Sequence, residues 1–344
     1  MAKTPEYYMQ RCLDLASEGR GKVSPNPLVG CVIVRDDTII GQGYHEQYGG
    51  PHAEVNAFRS LQSDEVLTNA IVFVNLEPCS HHGKTPPCID LIIKSKIPRV
   101  VVGMTDPNPL VSGSGIQKLR EAGIQVIEEV LTEECEILNR RFILNQVEKR
   151  PYIILKWAQS ADGFIDPNRA DGQKGIQWIT GPESQELTHG WRADEDAILV
   201  GRKTVEIDNP LLTVRTVEGK NPVRIAIDPK QVLSKDKAIF DNQSRTIVLA
   251  SEGIEDKNTH VVPMGPFWLN TQLNKLLTIG IGSVIVEGGR HTLDQFIEHG
   301  YWDEARVLTG ANSFGAGISA PKLKGTLQED FTSGPDRVQV YSKK

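Results

Sequence analysis

PHAE at residues 51–54 and EPCSHHGKTPPC at residues 77–88 bring one histidine, one glutamate and two cysteines into short range of each other along the chain. One imidazole nitrogen and two thiolates are three good ligands for Zn²⁺. They leave the fourth tetrahedral position to water, which marks a catalytic rather than a structural site. Water bound there falls in pKa from about 15.7 to about 7, so hydroxide is present at neutral pH. Glu54 lies two residues beyond His52, outside the ligand set, and can carry the proton of that water to a leaving group. Each cysteine follows a proline and reads as lying near a helix start, where backbone N–H groups and the helix dipole favour the thiolate. The sequence therefore predicts one zinc per chain on His52, Cys79 and Cys88, with Glu54 as the proton carrier. Any of these residues alone would be packing or surface; their order and their junctions carry the reading together. His81 and His82 read as solvated loop residues or substrate contacts rather than ligands, and Lys84 as either a substrate contact or surface.

Working outward, residues 5–19 carry Tyr8, Cys12, Leu15 and Ala16 on one helical stripe. Strands are predicted at Val29–Val34 and Ile39–Tyr44 around an Asp36-Asp37 turn, then at Ile71–Asn75, Arg99–Thr105 and Gln125–Glu128. Helices are predicted at His52–Leu61, Cys88–Ser95 and Ile116–Ala122, with a polar amphipathic helix over 133–146. Alternation of this kind implies an α/β layered domain with a mostly parallel sheet. Pro151, after the charged run EKR, marks a domain boundary. The expected division is 1–146 and 147–344, and a chain of 344 residues suits two domains of about 150 each. A second α/β series follows, with apolar strands at Tyr152–Ala158, Ala197–Val200, Val223–Ile227, Thr246–Ala250 and Ser283–Val286. FIDPNRADGQKG, from Phe164, reads as a polar loop.

Composition narrows the function classes. Hydrophobic residues at 39% and charged residues at 24% are those of a core-forming globular protein. A net charge of −6 and 6% aromatics give neither the basic face nor the stacking platforms of a nucleic-acid binder. No stretch approaches the ~18 apolar residues of a membrane span, and the N-terminus lacks the apolar run of a signal peptide. The five cysteines are few and odd in number, which argues against a disulfide framework; Cys12, Cys31 and Cys135 read as small buried hydrophobes. A cytoplasmic protein with no membrane or nucleic-acid partner is expected, and a homo-oligomer is compatible with the sequence.

In the second half, VGRKT at 200–204 sets a glycine after an apolar strand and before a helix start, so that backbone N–H groups can meet phosphate. Arg202 and Lys203 there suit the extra phosphate of NADP. VIVEGGRHTL at 284–293 repeats the arrangement, with Gly288 and Gly289 allowing close approach to a pyrophosphate. No GxGxxG is present, so the ordinary Rossmann fingerprint is absent.

The HAE and PC pair resembles the cytidine-deaminase superfamily, in which the second half of the signature is P-C-x-x-C. Here SHHGKTPP, eight residues, separates the cysteines. With SPNPLVG upstream and TDPNPLVSGSG downstream, residues 5–145 look like the deaminase domain of the bifunctional riboflavin-biosynthesis deaminase–reductases. LKWAQSADG, QWIT, RAxxDAILVGxxTVxxDxPxLTxR and VEGG resemble the reductase domain of that family over residues 151–340. The resemblance implies a cytidine-deaminase-like three-layer α/β domain followed by a dihydrofolate-reductase-like α/β domain. It implies Zn²⁺ and NADPH as cofactors and, as substrate, a diamino-pyrimidinone carrying a phosphoribosylamino group. The ring would lose an amino group as ammonia, and hydride would then convert ribosyl to ribityl.

By the same resemblance Asn26 and His45 line the deaminase pocket. Ala158, Trp178, Thr204, Asp208 and the turn from Gly289 contact NADPH. Ile176, Arg192, Leu212, Arg215 and Glu287 hold substrate, with the two arginines matching its phosphate by bidentate geometry. Ile176 stands where the family commonly has serine, which removes a hydroxyl. Lys156, at a strand end, is a candidate proton donor. The alternative is a nucleobase or nucleic-acid zinc deaminase with a non-catalytic C-terminal binding domain. A zinc-stabilised binding protein is disfavoured, because structural zinc takes four protein ligands.

Overall fold

The computed structural model describes residues 3–62, 67–80, 86–109, 111–170 and 173–343. His81, His82 and Lys84 lie outside the described residues. The chain divides into two compact units, Met1–Lys149 and Arg150–Lys344.

In the first unit the elements run α1 (Pro5–Ser17), β1 (Gly30–Arg35), β2 (Thr38–Tyr44), α2 (Ala53–Arg59), β3 (Ile71–Leu76), α3 (Cys88–Lys94), β4 (Arg99–Met104), α4 (Ser114–Glu121), β5 (Gln125–Ile127) and α5 (Thr132–Glu148). Asp36 and Asp37 both take positive φ, which closes the β1–β2 hairpin. Successive residues of β1 serve opposite layers. Cys31 and Ile33 pack with α2, α3 and α4 through Ala57, Ile92 and Leu119. Val32 and Val34 pack with α1 and α5 through Met9, Cys12 and Cys135. The sheet is thus buried on both faces, which is why its strands read as continuous apolar runs.

The sheet order is β2-β1-β3-β4-β5. It is not mostly parallel as the alternation suggested: β1 pairs antiparallel with both β2 and β3, while β3–β4 and β4–β5 are parallel. The hairpin supplies the antiparallel half, and only the crossovers through helices supply the parallel half.

The second unit runs β6 (Tyr152–Gln159), β7 (Phe164–Pro167), α6 (Pro182–Asp194), β8 (Ala197–Gly201), α7 (Arg202–Asp208), β9 (Val223–Ile227), β10 (Thr246–Ala250), β11 (Thr259–Val261), α8 (Trp268–Thr278), β12 (Ser283–Val286), α9 (Arg290–Glu298), β13 (Glu304–Thr309), β14 (Gly317–Ser319), β15 (Thr326–Ser333) and β16 (Asp336–Ser342). A nine-stranded sheet has the order β11-β10-β9-β8-β12-β6-β13-β16-β15, and β14 pairs with β7 alone. The stretch from Phe164 is therefore not wholly loop; its first four residues form β7 against β14.

Strands β11 through β13 are mutually parallel, so their C-terminal ends share one edge, where open α/β sheets bind ligands. At that edge β8 and β12 end in Gly201 and the Gly288 turn. A Cβ at Gly201 would meet Thr292 Oγ1 at 2.4 Å, and one at Gly288 would meet Thr292 Cβ at 2.7 Å. Only glycine lets α9 seat this closely across the two strand ends. Among the described residues no helix is long and apolar enough to cross a membrane.

Candidate active sites

His52 is the N-cap of α2, and Glu54 is the second residue of that helix. Cys88 opens α3. Cys79 does not open a helix; it follows the C-terminal end of β3. The expected help from a helix start still reaches it, because the Cys88 N–H at the start of α3 donates to Cys79 Sγ at 3.2 Å. His52 Nδ1 lies 3.6 Å from Cys79 Sγ and 3.3 Å from Cys88 Sγ. All three donor atoms fall within 4.8 Å of one another.

A tetrahedral zinc with Zn–N near 2.05 Å and Zn–S near 2.3 Å sets nitrogen and sulfur about 3.5 Å apart. The three donors therefore fit the ion, with Nδ1 as the imidazole ligand. The thiols interact strongly: their mutual hydrogen bond lowers Cys79 foremost and raises Cys88. Two sulfurs this close favour one shared cation.

Glu54 is 3% exposed. Burial first, and the charge of Cys79 second, push its carboxyl above the usual range. A carboxyl beside the ligands and outside the ligand set can accept a proton and return it. His45 stands edge-on to His52, with ring centroids 5.9 Å apart. Its Nδ1 faces the Pro51 carbonyl at 2.9 Å, and a carbonyl only accepts, so Nδ1 bears the proton. Nε2 then accepts from the Asn26 amide at 3.0 Å. Asn26 and His45 are thus one hydrogen-bonded pair beside the metal ligands. Their loop is fixed further on by Asn139, whose side chain binds both the N–H and C=O of Leu28.

Sequence reading passed over Glu77, the residue that builds the floor of this site. It is 5% exposed and takes four backbone N–H groups. Asp106 and Gly113 donate to Oε2 at 3.0 and 2.9 Å, and Gly115 and Ile116 to Oε1 at 2.8 and 3.3 Å. One carboxylate thereby staples the end of β3, just before Cys79, to the loop after β4 and the first turn of α4. Its signal was its place in EPC, one residue before a proline and two before a ligand.

Glu77→Gln replaces an acceptor-only group with an amide whose N–H₂ must face two of those donors. Each buried polar group left unpaired costs about 1–3 kcal/mol. The first unit is expected to lose roughly 3 kcal/mol, read as a lower urea midpoint of its transition; a midpoint equal to wild type would refute the staple.

In the second unit a cavity of about 1080 Å³ opens at the C-terminal strand edge. Ala158, Trp178, Thr204, Asp208 and Gly289 line it, and so do Ile176, Arg192, Leu212, Arg215 and Glu287. Small-molecule sites commonly span about 300–1000 Å³, so this one has room for a dinucleotide and a second ligand together. Ile176 and Trp178 are 46% and 58% exposed and leave apolar surface at the cavity. Thr204 Oγ1 accepts the N–H of Gly289, the N-cap of α9, at 3.1 Å and so joins the two strand-end turns. Asp208 is held by Arg169 at 3.0 Å, and the same guanidinium binds Asp166 and the Gly175 carbonyl, each at 2.7 Å. Leu212 is 3% exposed yet has φ of 56°, a conformation bulky residues rarely adopt outside functional sites.

The two arginines differ in the partners they take in this structure. Arg192 turns its fork onto Glu287, with Nε to Oε1 at 3.1 Å and NH2 to Oε2 at 2.7 Å, and gives NH1 to the Thr213 carbonyl. Its bidentate face is occupied. Among the described residues Arg215 uses only NH1, on the Thr213 carbonyl and hydroxyl. Burial would raise Glu287, but Arg192 and Lys156 outweigh it and bring the carboxyl down to about 2. Lys156 Nζ stands 4.0 Å from Glu287, and burial lowers its pKa. Arg202, read as a phosphate contact, pairs with Glu206 at 2.8 Å; Lys203 is exposed.

The cytidine and deoxycytidylate deaminase zinc-binding region matches residues 2–104, and the RibD C-terminal domain matches residues 151–336. The riboflavin biosynthesis protein RibD of Aquifex aeolicus is 42% identical over 324 residues, covering 92% of this chain and 89% of its own. That of Escherichia coli K12 is 38% identical over 341 residues, covering 93% and 89%. A solved Thermotoga maritima structure, described as a diaminohydroxyphosphoribosylaminopyrimidine deaminase/5-amino-6-(5-phosphoribosylamino)uracil reductase, superposes with a TM-score of 0.88. It is 39% identical, and the match covers 98% of each chain. RibD of Acinetobacter baumannii also reaches 0.88, at 32% identity over 98% of each chain. With a zinc-deaminase region and a reductase domain matched in order, and relatives of this identity spanning both, the chain belongs to the RibD family, the bifunctional deaminase–reductases of riboflavin biosynthesis.

Proposed function

We propose that this chain carries out two successive steps on one phosphorylated pyrimidine. The first unit removes a ring amino group of the diamino-phosphoribosylamino-pyrimidinone by hydrolysis, and the second reduces the ribosyl group of the product to ribityl. The reading rests above all on the three-donor cluster with a buried carboxyl beside it.

His52, Cys79 and Cys88 would hold the zinc, which when bound would lower the pKa of a water enough to make it a nucleophile at neutral pH. Glu54 takes the first proton of the water and gives it to the ring nitrogen as the C–O bond forms, then moves the hydroxyl proton to the amino group, so that the C–N bond breaks, ammonia leaves and a carbonyl remains. The Asn26–His45 pair and the Glu77-held loop shape the wall against which the ring lies.

In the second unit the cavity would hold NADPH, whose chemistry when bound would be hydride delivery to the sugar C1. The turns at Gly201 and Gly289, with Ala158, Trp178, Thr204 and Asp208, hold the dinucleotide, and Ile176, Leu212 and Arg215 hold substrate. Arg215, whose guanidinium is mostly free, takes the phosphate. Arg192 keeps Glu287 ionised, and Glu287 keeps Lys156 close to the sugar. Ring opening requires a proton on the departing ring oxygen, and Lys156 Nζ is the buried donor placed to give it. The partner is a small phosphorylated pyrimidine and not nucleic acid, in keeping with the net charge of −6. Five reduced cysteines, all without disulfides, suit the cytoplasm.

NADPH is expected to be preferred to NADH, since Arg202 and Lys203 sit where a 2′-phosphate is met. Replacing both by Ala should weaken NADPH at least about tenfold, as the loss of a charge-assisted contact does, and leave NADH nearly unchanged. Titration of both cofactors against the variant checks this. Equal weakening of the two would overturn the assignment of these side chains.

A further inference from the structure

Helix α6 carries a histidine for which the two reactions have so far given no work. His189 is 4% exposed and lines the cavity of the second unit. Its Nδ1 accepts the backbone N–H of Arg215 at 3.1 Å. The proton of the neutral ring therefore sits on Nε2. Among the described residues nothing takes up that Nε2–H, and the atom is not sealed away from solvent. Among the described residues it is thus an unpaired donor, on a ring that lines the cavity.

The surroundings decide which acceptor it awaits. The charged groups about the ring are Arg192, Arg215, Lys156 and Glu287. Burial first, then Arg192 and Arg215, pull the imidazole down to about 4, so at neutral pH it offers one N–H and no charge. Arg192 is matched by Glu287. Arg215 is not matched by any carboxylate among the described residues, and its main chain is hydrogen-bonded to this same ring. The cavity thus presents a guanidinium and an N–H donor, coupled through one hydrogen bond. A sugar hydroxyl or ring carbonyl would satisfy the N–H and leave the Arg215 charge unanswered. A phosphate, with several oxygens and negative charge, answers both.

We propose that His189 contacts the phosphate of the reductase substrate, its Nε2–H and the Arg215 guanidinium gripping one phosphate group, and that it thereby sets the preference for phosphorylated over dephosphorylated substrate. The proposal rests on reading the second unit as a reductase of a phosphoribosyl compound. The ring has two separable duties: Nδ1 holds the Arg215 main chain, and Nε2–H touches the ligand.

Two variants of the full-length chain separate them. His189→Asn keeps an acceptor for the Arg215 N–H but withdraws the donor from the cavity. His189→Gln extends an N–H towards the Nε2 position but withdraws the acceptor. KM and kcat for NADPH oxidation are measured with 5-amino-6-(5-phosphoribosylamino)uracil and with its dephosphorylated riboside, alongside NADPH binding by fluorescence. His189→Asn is expected to raise KM for the phosphorylated substrate about tenfold. Its kcat, its KM for the riboside and its NADPH affinity stay at wild-type values, and His189→Gln lies closer to wild type.

An unchanged KM in His189→Asn, or an equal rise for both substrates, overturns the contact. Impairment of His189→Gln alone reduces the ring to a support for Arg215, and loss of NADPH binding in both variants reduces it to packing; either also overturns it. Failure of the wild-type chain to oxidise NADPH with the phosphorylated substrate is a different result, and it removes the reductase reading together with the proposal.

Discussion

Cys88→Ser is expected to lose zinc and ammonia release together. The Cys88 sulfur is one of three donors within 4.8 Å of one another, a spacing that fits a single ion, and a serine hydroxyl, which stays protonated at neutral pH, does not replace a thiolate. Zinc content should fall from about one per chain towards zero. Deamination should fall by at least about 10³-fold, because unassisted water with a pKa near 15.7 replaces hydroxide. The side chain of Cys88 is buried at the head of α3, whose packing rests on Ile89 and Ile92. The α/β core of the first unit should therefore survive, and NADPH oxidation should continue when the deaminated intermediate is supplied. A variant that keeps both its metal and its ammonia release would remove Cys88 from the ligand set.

Glu54→Gln separates metal binding from proton transfer. Glu54 stands outside the three-donor cluster, so zinc content should be unchanged. The amide cannot accept the water proton, and the deaminase rate should drop by about 10²–10⁴-fold. The near-isosteric side chain keeps the packing of α2, so stability should move little. Deamination at the wild-type rate by the glutamine variant would assign the proton to another group.

Much of the first unit was legible because its chemistry-bearing residues are few, compact and of types with little else to do in that order. HAE and the two PC pairs led directly to donors that meet around one point. Sheet direction was not legible. Helix–strand alternation says which segments are strands, but the antiparallel β1–β3 pairing depends on where the hairpin folds back, which no local pattern states. Glu77 was missed because its partners are backbone N–H groups of residues 106–116, and such partners leave no mark on side-chain spacing.

In the second unit the strand-end glycines read as room for phosphate groups, whereas the neighbour packed against Gly201 and Gly288 in the structure is the Thr292 side chain. Helix α6 was missed for a physical reason: its buried face is Ser184, Thr188 and His189, so the apolar period that signals a helix is absent. With the helix went His189. Strand β15 is almost wholly exposed and lacks the alternation of a half-buried strand. The closure of Arg192 on Glu287 joins residues far apart in sequence, and a motif that names each as a substrate contact does not say that they hold one another.

The central claim, that one chain performs a hydrolytic deamination and then a reduction, is tested most directly by following ammonia and NADPH together. The full-length zinc-loaded protein is given the diamino-phosphoribosylamino-pyrimidinone, first without NADPH and then with it. Without NADPH, one ammonia per substrate should be released and the deaminated phosphoribosyl compound should accumulate. On addition of NADPH, one equivalent should be oxidised for each ammonia already released. NADPH oxidation on the diamino compound before any ammonia appears would contradict the order of the two steps. Ammonia release followed by no NADPH oxidation would contradict the assignment of the second unit.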